Sequence, residues 1–176
     1  SLFVVRTVSV FLVVMMLVSG ANGQMTWYVD VAAPPGGSGT ESAPFDNIQI
    51  ALFTASDGDT VLVQPGTYFE RLLFGHRVHL VSVGGPDVTV IDGFGDLVVN
   101  MQAFPAADET PWTILEGFTI TGGTNVDPQF VGGGIKTSFR SIVRNCRVIG
   151  NTIFENIWFS GNGITGGIFV QGESII

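Results

Sequence analysis

A gapless internal repeat constrains this chain more than any other feature. Thr113-Ile-Leu-Glu-Gly-Phe-Thr-Ile-Thr-Gly-Gly-Thr124 lies over Ser141-Ile-Val-Arg-Asn-Cys-Arg-Val-Ile-Gly-Asn-Thr152, at an offset of 141 − 113 = 28 residues. Leu115 meets Val143, Phe118 meets Cys146, Ile120 meets Val148 and Gly122 meets Gly150. A second echo sets Gly132-Gly133-Gly134-Ile135 against Gly166-Gly167-Ile168. A sandwich or a barrel has no need of such in-register similarity. A stack of parallel coils does, because each coil lies about 4.8 Å above the last and like side chains sit on like. The side-chain period of a strand is two, so Leu115 and Phe118 cannot both point inward from one continuous strand. A bend at Gly117, and at Asn145 in the next repeat, restores both, and Asn tolerates the left-handed conformation that such a corner needs. Glu116 then lies beside Arg144.

The remaining β-rich runs are short and end in Gly, Asn, Asp or Pro-Gly. They are expected at Thr60–Val63, Arg77–Val81, Val88–Ile91, Thr113–Leu115, Phe118–Ile120, Ser141–Val143, Cys146–Val148 and Gly167–Val170, with one more at Thr26–Asp30. Residues 33–44 are rich in Pro, Gly and Ser and read as loop. One helix is expected, over about Asn47 to Ser56, capped by Asp46, with Phe45 as a staple, Ile48, Leu52 and Ala55 on one face, and Gly58 as its stop.

The amino terminus has the pattern of a secretion signal. Arg6 precedes an apolar run from Val8 to Val18, and small residues lead to Gly23. A membrane anchor would want about 20 apolar residues, and this run is shorter. The expected organisation is a signal at 1–23, a strand, loop and capping helix at 24–57, and coils over 58–176. At 28 residues per coil, the 176 − 58 + 1 = 119 residues of that last part make about four coils. The chain starts with Ser and finishes on the apolar pair Ile175-Ile176, so further coils are expected beyond this segment. Without Arg6, 6 basic and 15 acidic side chains leave a charge of 6 − 15 = −9, which disfavours nucleic acid or anionic lipid as a partner. One cysteine excludes an internal disulfide framework and a Cys-based zinc site.

Tyr28-Val29-Asp30, Pro44-Phe45-Asp46-Asn47-Ile48-Gln49-Ile50-Ala51-Leu52, Gly58-Asp59-Thr60-Val61-Leu62-Val63-Gln64-Pro65-Gly66-Thr67-Tyr68-Phe69-Glu70 and Val88-Thr89-Val90-Ile91-Asp92-Gly93 resemble secreted right-handed parallel β-helix proteins of the pectin-lyase-like superfamily. The resemblance covers about residues 26 to 172. Phe159-Ser160-Gly161-Asn162 with Gly166-Gly167-Ile168 is also similar to the repeats of polymorphic outer-membrane proteins, and a surface passenger of that kind would need a carboxy-terminal barrel beyond Ile176. The resemblance implies an all-β right-handed parallel β-helix, or solenoid, with an amino-terminal helix covering its open first coil.

It also implies polysaccharide as the substrate or partner class, as a passive surface or, alternatively, as a lyase or glycoside hydrolase. In lyases of this kind an Arg or Lys removes a proton while acidic residues hold Ca²⁺. Here Arg140, Arg144 and Arg147 are the basic set, and Asp87, Asp92 and Asp96 are the nearest acids for Ca²⁺, which takes six to eight oxygens. Asp87 after Pro86 and Asp92 before Gly93 also read as turn residues, and the arginines as outward partners of Glu116 and its neighbours. Hydrolysis would need two carboxylates, and no spacing selects a pair from Glu116, Asp127 and Glu155. Trp27, Trp112 and Trp158 could stack on sugar rings or pack in turns. His76 and His79 fall on opposite faces of a strand and read as exposed, and Cys146 reads as a buried thiol. Gly132-Gly133-Gly134 lacks the Lys-Ser/Thr of a phosphate loop. The expected protein is a secreted or cell-surface scaffold contacting carbohydrate, with no cofactor required beyond an optional Ca²⁺, no catalytic set within the segment and no membrane span after residue 23.

Overall fold

The computed structural model describes residues 23–101, 112–125, 133–138, 140–153, 167–171 and 174–175. Residues 1–22 of the segment expected to be a signal, Trp158, Asp127 and Glu155 lie outside them. Within the described residues the fold is β-rich: short strands in parallel sheets, with one helix. The strands are β1 (Thr26–Val29), β2 (Thr60–Val63), β3 (Gly66–Phe69), β4 (Leu72–Leu73), β5 (His79–Ser82), β6 (Thr89–Asp92), β7 (Val99–Met101), β8 (Thr113–Glu116), β9 (Thr119–Thr121), β10 (Thr124–Asn125), β11 (Ile135–Ser138), β12 (Ser141–Arg144), β13 (Arg147–Val148), β14 (Thr152–Ile153), β15 (Ile168–Gln171) and β16 (Ser174–Ile175). The helix α1 is Ile48–Thr54.

A six-stranded sheet has the order β1-β2-β5-β8-β12-β16, and two four-stranded sheets have the orders β13-β9-β6-β3 and β15-β11-β7-β4. A small pair, β10-β14, stands beside them. From β2 onward the chain visits the three larger sheets in the same sequence on every pass, and every strand pair is parallel. The repeat read from the sequence is the register itself. Ser141 pairs with Thr113, Val143 with Leu115, Arg147 with Thr119, Val148 with Ile120 and Thr152 with Thr124, all at an offset of 28. Ile135 pairs with Ile168, which is the second echo.

The spacing is not constant, however, and the estimate of 28 residues for every coil is corrected. Along the six-stranded sheet the steps are 60 − 26 = 34, 79 − 60 = 19, 114 − 79 = 35, 141 − 113 = 28 and 174 − 141 = 33. The strands must stay in register to keep their hydrogen bonds, whereas the corners between them can hold loops of any length.

The core is a set of side-chain columns running across the sheets. Val61, Leu80, Leu115 and Val143 are successive register partners and are all buried. Tyr68, Ile91 and Ile120 form a second column, continued by Val148. Leu72, Val99 and Ile135 form a third, continued by Ile168. Phe118 is fully buried between the first two columns, and Cys146, in the next repeat, packs against the same core. The corner that permits this is the expected one: Gly117 has φ 84° and Asn145 has φ 51°. Gly122 has φ 71°, and a Cβ there would lie 1.9 Å from Asp92 Oδ1. Both reasons require glycine at that position.

Helix α1 is shorter than expected and starts one residue later. Asn47, not Asp46, is its cap: its backbone is extended and its side chain accepts from the Ile50 N–H. The Glu70 carboxylate takes the next two free donors, with Ile48 N–H at 2.9 Å and Gln49 N–H at 2.9 Å. Ile48, Ala51 and Leu52 are buried against the core, while Phe45 stacks on Trp27 with ring centroids 6.0 Å apart. Gln49 covers the edge strand β4: its amide donates to Leu73 O at 3.0 Å and accepts from Leu73 N–H at 2.7 Å. An open parallel edge invites association, and here a helix side chain occupies part of it.

Asp59 ties β1 to the turn after the helix. Its carboxylate accepts from Met25 N–H (2.8 Å), Trp27 Nε1–H (3.0 Å) and Ser56 N–H (2.9 Å). Burial pushes this carboxyl up, but the three donors outweigh burial and hold it below the usual carboxylate range.

Candidate functional site

The sequence singled out Glu116, Arg144 and Arg147, and the fold brings only two of them together. Glu116 and Arg144 are register partners on the outer face of the six-stranded sheet. The Arg144 guanidinium donates to Glu116 Oε2 at 2.7 Å, and His79 Nε2 lies 2.9 Å from the same oxygen. An ionised carboxylate only accepts, so the proton of that second contact sits on His79. The Arg144 guanidinium holds the Glu116 carboxyl below its usual range, partial burial pulls the other way, and His79 adds to the lowering. Arg147 belongs to a different sheet and pairs with Asp87, 60 positions away.

A carboxyl with a lowered pKa stabilises the fold above its unfolded pKa, and that contribution is lost as pH falls through the folded pKa. Arg144 is half-exposed, so the pair is worth about 0–1 kcal/mol. Arg144→Ala is therefore expected to cost less than about 1 kcal/mol in a urea melt at neutral pH. It should also raise the Glu116 titration midpoint seen in carboxyl-carbon NMR. An unmoved midpoint would contradict the contact.

The three aspartates considered for Ca²⁺ are used separately. Asp87 pairs with Arg147, Asp96 pairs with Arg71 and accepts from Leu97 N–H at 2.7 Å, and Asp92 accepts from Phe94 N–H at 3.0 Å in a turn. No group of three His, Cys, Asp or Glu side chains placed to hold a metal ion is present among the described residues. His76 lies 3.5 Å from Asp57 and His79 beside Glu116, so the two histidines serve different carboxylates. Burial pushes the Cys146 thiol up, which suits a packing role and not a nucleophile. Trp27 is committed to Phe45 and Asp59, and Trp112 is half-buried at the start of β8.

One concave site was not foreseen. A pocket of about 350 Å³ opens beside β4 and β7, lined by Arg71, Leu72, Leu73, Asp96, Leu97 and Asn100. Leu73 and Asn100 are register partners, and each follows an inward-facing residue, Leu72 and Val99. Asn100 Oδ1 is buried and has no hydrogen-bond partner among the described residues. Such an acceptor costs about 1–3 kcal/mol if nothing reaches it. The lining comes from two strands and two turns more than twenty residues apart, so no local motif announced it. Leu72 faces the core, so the side chains that face the opening are Leu73 and Leu97, the Arg71–Asp96 ion pair and Asn100.

No family model matches the chain, and neither a curated protein nor a solved structure does. No helix among the described residues is long and apolar enough to cross a membrane.

Proposed function

We propose that this chain is an exported segment of a right-handed parallel β-helix that presents a rigid outer surface to carbohydrate, as a scaffold or adhesion module. The observation that carries the reading is the in-register pairing of parallel strands on successive passes through the same three sheets. Crossovers between parallel strands are right-handed in about 98% of cases, which supports the handedness. The resemblance of the "GDTV…PGTY" run to pectin-lyase-like proteins supports the superfamily, and the Arg6-led apolar segment supports export. A long rigid face suits an extended ligand such as a glycan.

The alternative is the amino-terminal part of a polysaccharide lyase or glycoside hydrolase. Against it stands the use of the chemical groups. Glu116 is held ionised by two partners, and Arg144 and Arg147 are each engaged by a carboxylate. The purified chain should be retained by an immobilised glycan and should release no product from polygalacturonate, alginate or neutral polysaccharides, with or without Ca²⁺. Unsaturated oligosaccharides would favour the lyase, and reducing ends without unsaturation the hydrolase. Failure to bind any of these polymers would overturn the carbohydrate reading.

A further inference from the structure

We propose that the outer face of α1 is a docking site for a second protein, one that brings a Lys/Arg-rich segment with aliphatic or aromatic anchors. The inference is independent of the carbohydrate reading above and concerns the helix.

The helix is apolar on both faces. Of Ile48–Thr54 only Gln49 and Thr54 are polar, and no residue is charged. A helix with one covered face ordinarily turns charged and polar side chains outward, and a helix that is apolar all round is covered all round. Here Ile48, Ala51 and Leu52 are buried against the core, while Ile50 and Phe53 stand 45% and 64% exposed. They are three positions apart and so lie side by side on the surface. The two polar side chains are turned back onto the protein. Thr54 Oγ1 donates to Ile50 O at 2.8 Å, and the Gln49 amide is bonded to both backbone groups of Leu73. Leu73, itself 43% exposed, adds a third apolar side chain at the β4 edge.

The charge around this face selects the partner. Residues 24–70 contain no Lys, Arg or His and six acids: Asp30, Glu41, Asp46, Asp57, Asp59 and Glu70. Asp46 precedes the helix cap and Asp57 follows the helix, so the chain sets a carboxylate at each end of the exposed face. Asp46 makes no side-chain hydrogen bond or ion pair among the described residues. Burial pushes the neighbouring Glu70 carboxyl up, the Ile48 and Gln49 N–H groups pull it down, and the Asp46 charge pushes it up again. A cationic side chain set against Asp46 would offset that repulsion. The same carboxylates turn away anionic lipid, nucleic acid and a second cap of like charge. Nor do the chain's own arginines suit the role, since Arg71, Arg144 and Arg147 are each engaged by a carboxylate. In such a contact the apolar anchors supply affinity, and the charges supply orientation and rate of encounter.

Fluorescence anisotropy of the full chain with three labelled helical peptides tests the proposal: leucine with lysine, leucine with glutamate, and serine with lysine. The leucine–lysine peptide should bind most tightly. Ile50→Ser/Phe53→Ser should weaken it roughly tenfold or more and leave the unfolding midpoint in place, because both side chains are already exposed. Asp46→Asn should weaken it about two- to fivefold at low salt. Phe94→Ser, which removes a ring 67% exposed in the turn after β6, should change nothing. Leucine–lysine binding that the helix variants leave untouched, or that Phe94→Ser weakens equally, would overturn the site. Equal binding of either other peptide would overturn the partner class, in its charge or in its apolar half. No binding of the leucine–lysine peptide would overturn the proposal as a whole. Dimerisation in sedimentation equilibrium that Ile50→Ser/Phe53→Ser abolishes would give the face to a second copy and overturn the basic partner.

Discussion

Phe118→Ala should lower the unfolding free energy by about 3–5 kcal/mol, the largest effect expected of a single truncation here. Phe118 is fully buried and belongs to the continuous core, with Leu115 and Ile120 on either side in sequence also fully buried. The cost has two parts. Apolar surface returns to water when the chain unfolds with less to hide, and a cavity remains in the folded state. Collapse around that cavity is resisted by the ladder. The Phe118 carbonyl accepts from the Arg147 N–H at 2.8 Å, and β8 and β12 hold their register on the preceding side. Truncating Cys146, the equivalent but smaller and only partly buried residue, should cost far less. Urea melts of both variants measure the difference. A loss below about 1 kcal/mol for Phe118→Ala would mean that this ring is not inside the stack.

Asp59→Ala should cost about 3 kcal/mol, because one substitution strands three donors at once. The Met25 N–H, the Trp27 indole and the Ser56 N–H all converge on this carboxylate, which is only 4% exposed as a residue. Hydrogen bonds to a charged acceptor contribute about 1.5–3 kcal/mol each, offset by the desolvation that burial imposes. Asp59→Asn should recover part of the loss, since the amide keeps one acceptor and turns an NH₂ towards a donor. The pH dependence follows from the lowered pKa. The stabilisation is full above the unfolded pKa, near 3.8, and is lost as pH falls through the folded value. Wild type should therefore lose more stability on acidification than Asp59→Asn does. Equal acid sensitivity in melts at neutral pH and at pH about 3 would contradict the role assigned to this carboxylate. Because Asp59 holds β1 against the turn after the helix, amide exchange in Met25–Val29 should quicken first in the variant.

The repeat of Thr113–Thr124 in Ser141–Thr152 was legible because the two copies align without a gap. β8, β9 and β10 step to β12, β13 and β14 at one constant offset, so the register could be read without coordinates. Elsewhere the steps of 19 and 35 residues break the alignment, although the same columns of side chains continue through them. The two-residue strands β4, β10, β14 and β16 are too short to show a period and were not expected, and β4 exists because β7 pairs with it.

The Glu116–Arg144 contact was readable as a register consequence, and the corner at Asn145 as a parity consequence. The cap at Asn47, the Glu70 fork on the helix and the Gln49 clamp on Leu73 were not. Each joins residues whose meeting depends on the helix packing against β1, β2 and β4. The pocket belongs to the same class, since Arg71 and Asn100 become neighbours only after β4 and β7 pair.

Cysteine pairs placed on β8 and β12 test the parallel register most directly. In a Cys146→Ser background, which removes the chain's one native thiol, two pairs follow the register: Ile114→Cys with Ile142→Cys, and Glu116→Cys with Arg144→Cys. Their strands lie about 4.8 Å apart, so a short bifunctional thiol reagent should close both pairs rapidly within one molecule. The diagonal pairs, 114 with 144 and 116 with 142, should close slowly. Rapid closure of the diagonal pairs instead of the direct ones would mean antiparallel strands and would contradict the stacked arrangement outright.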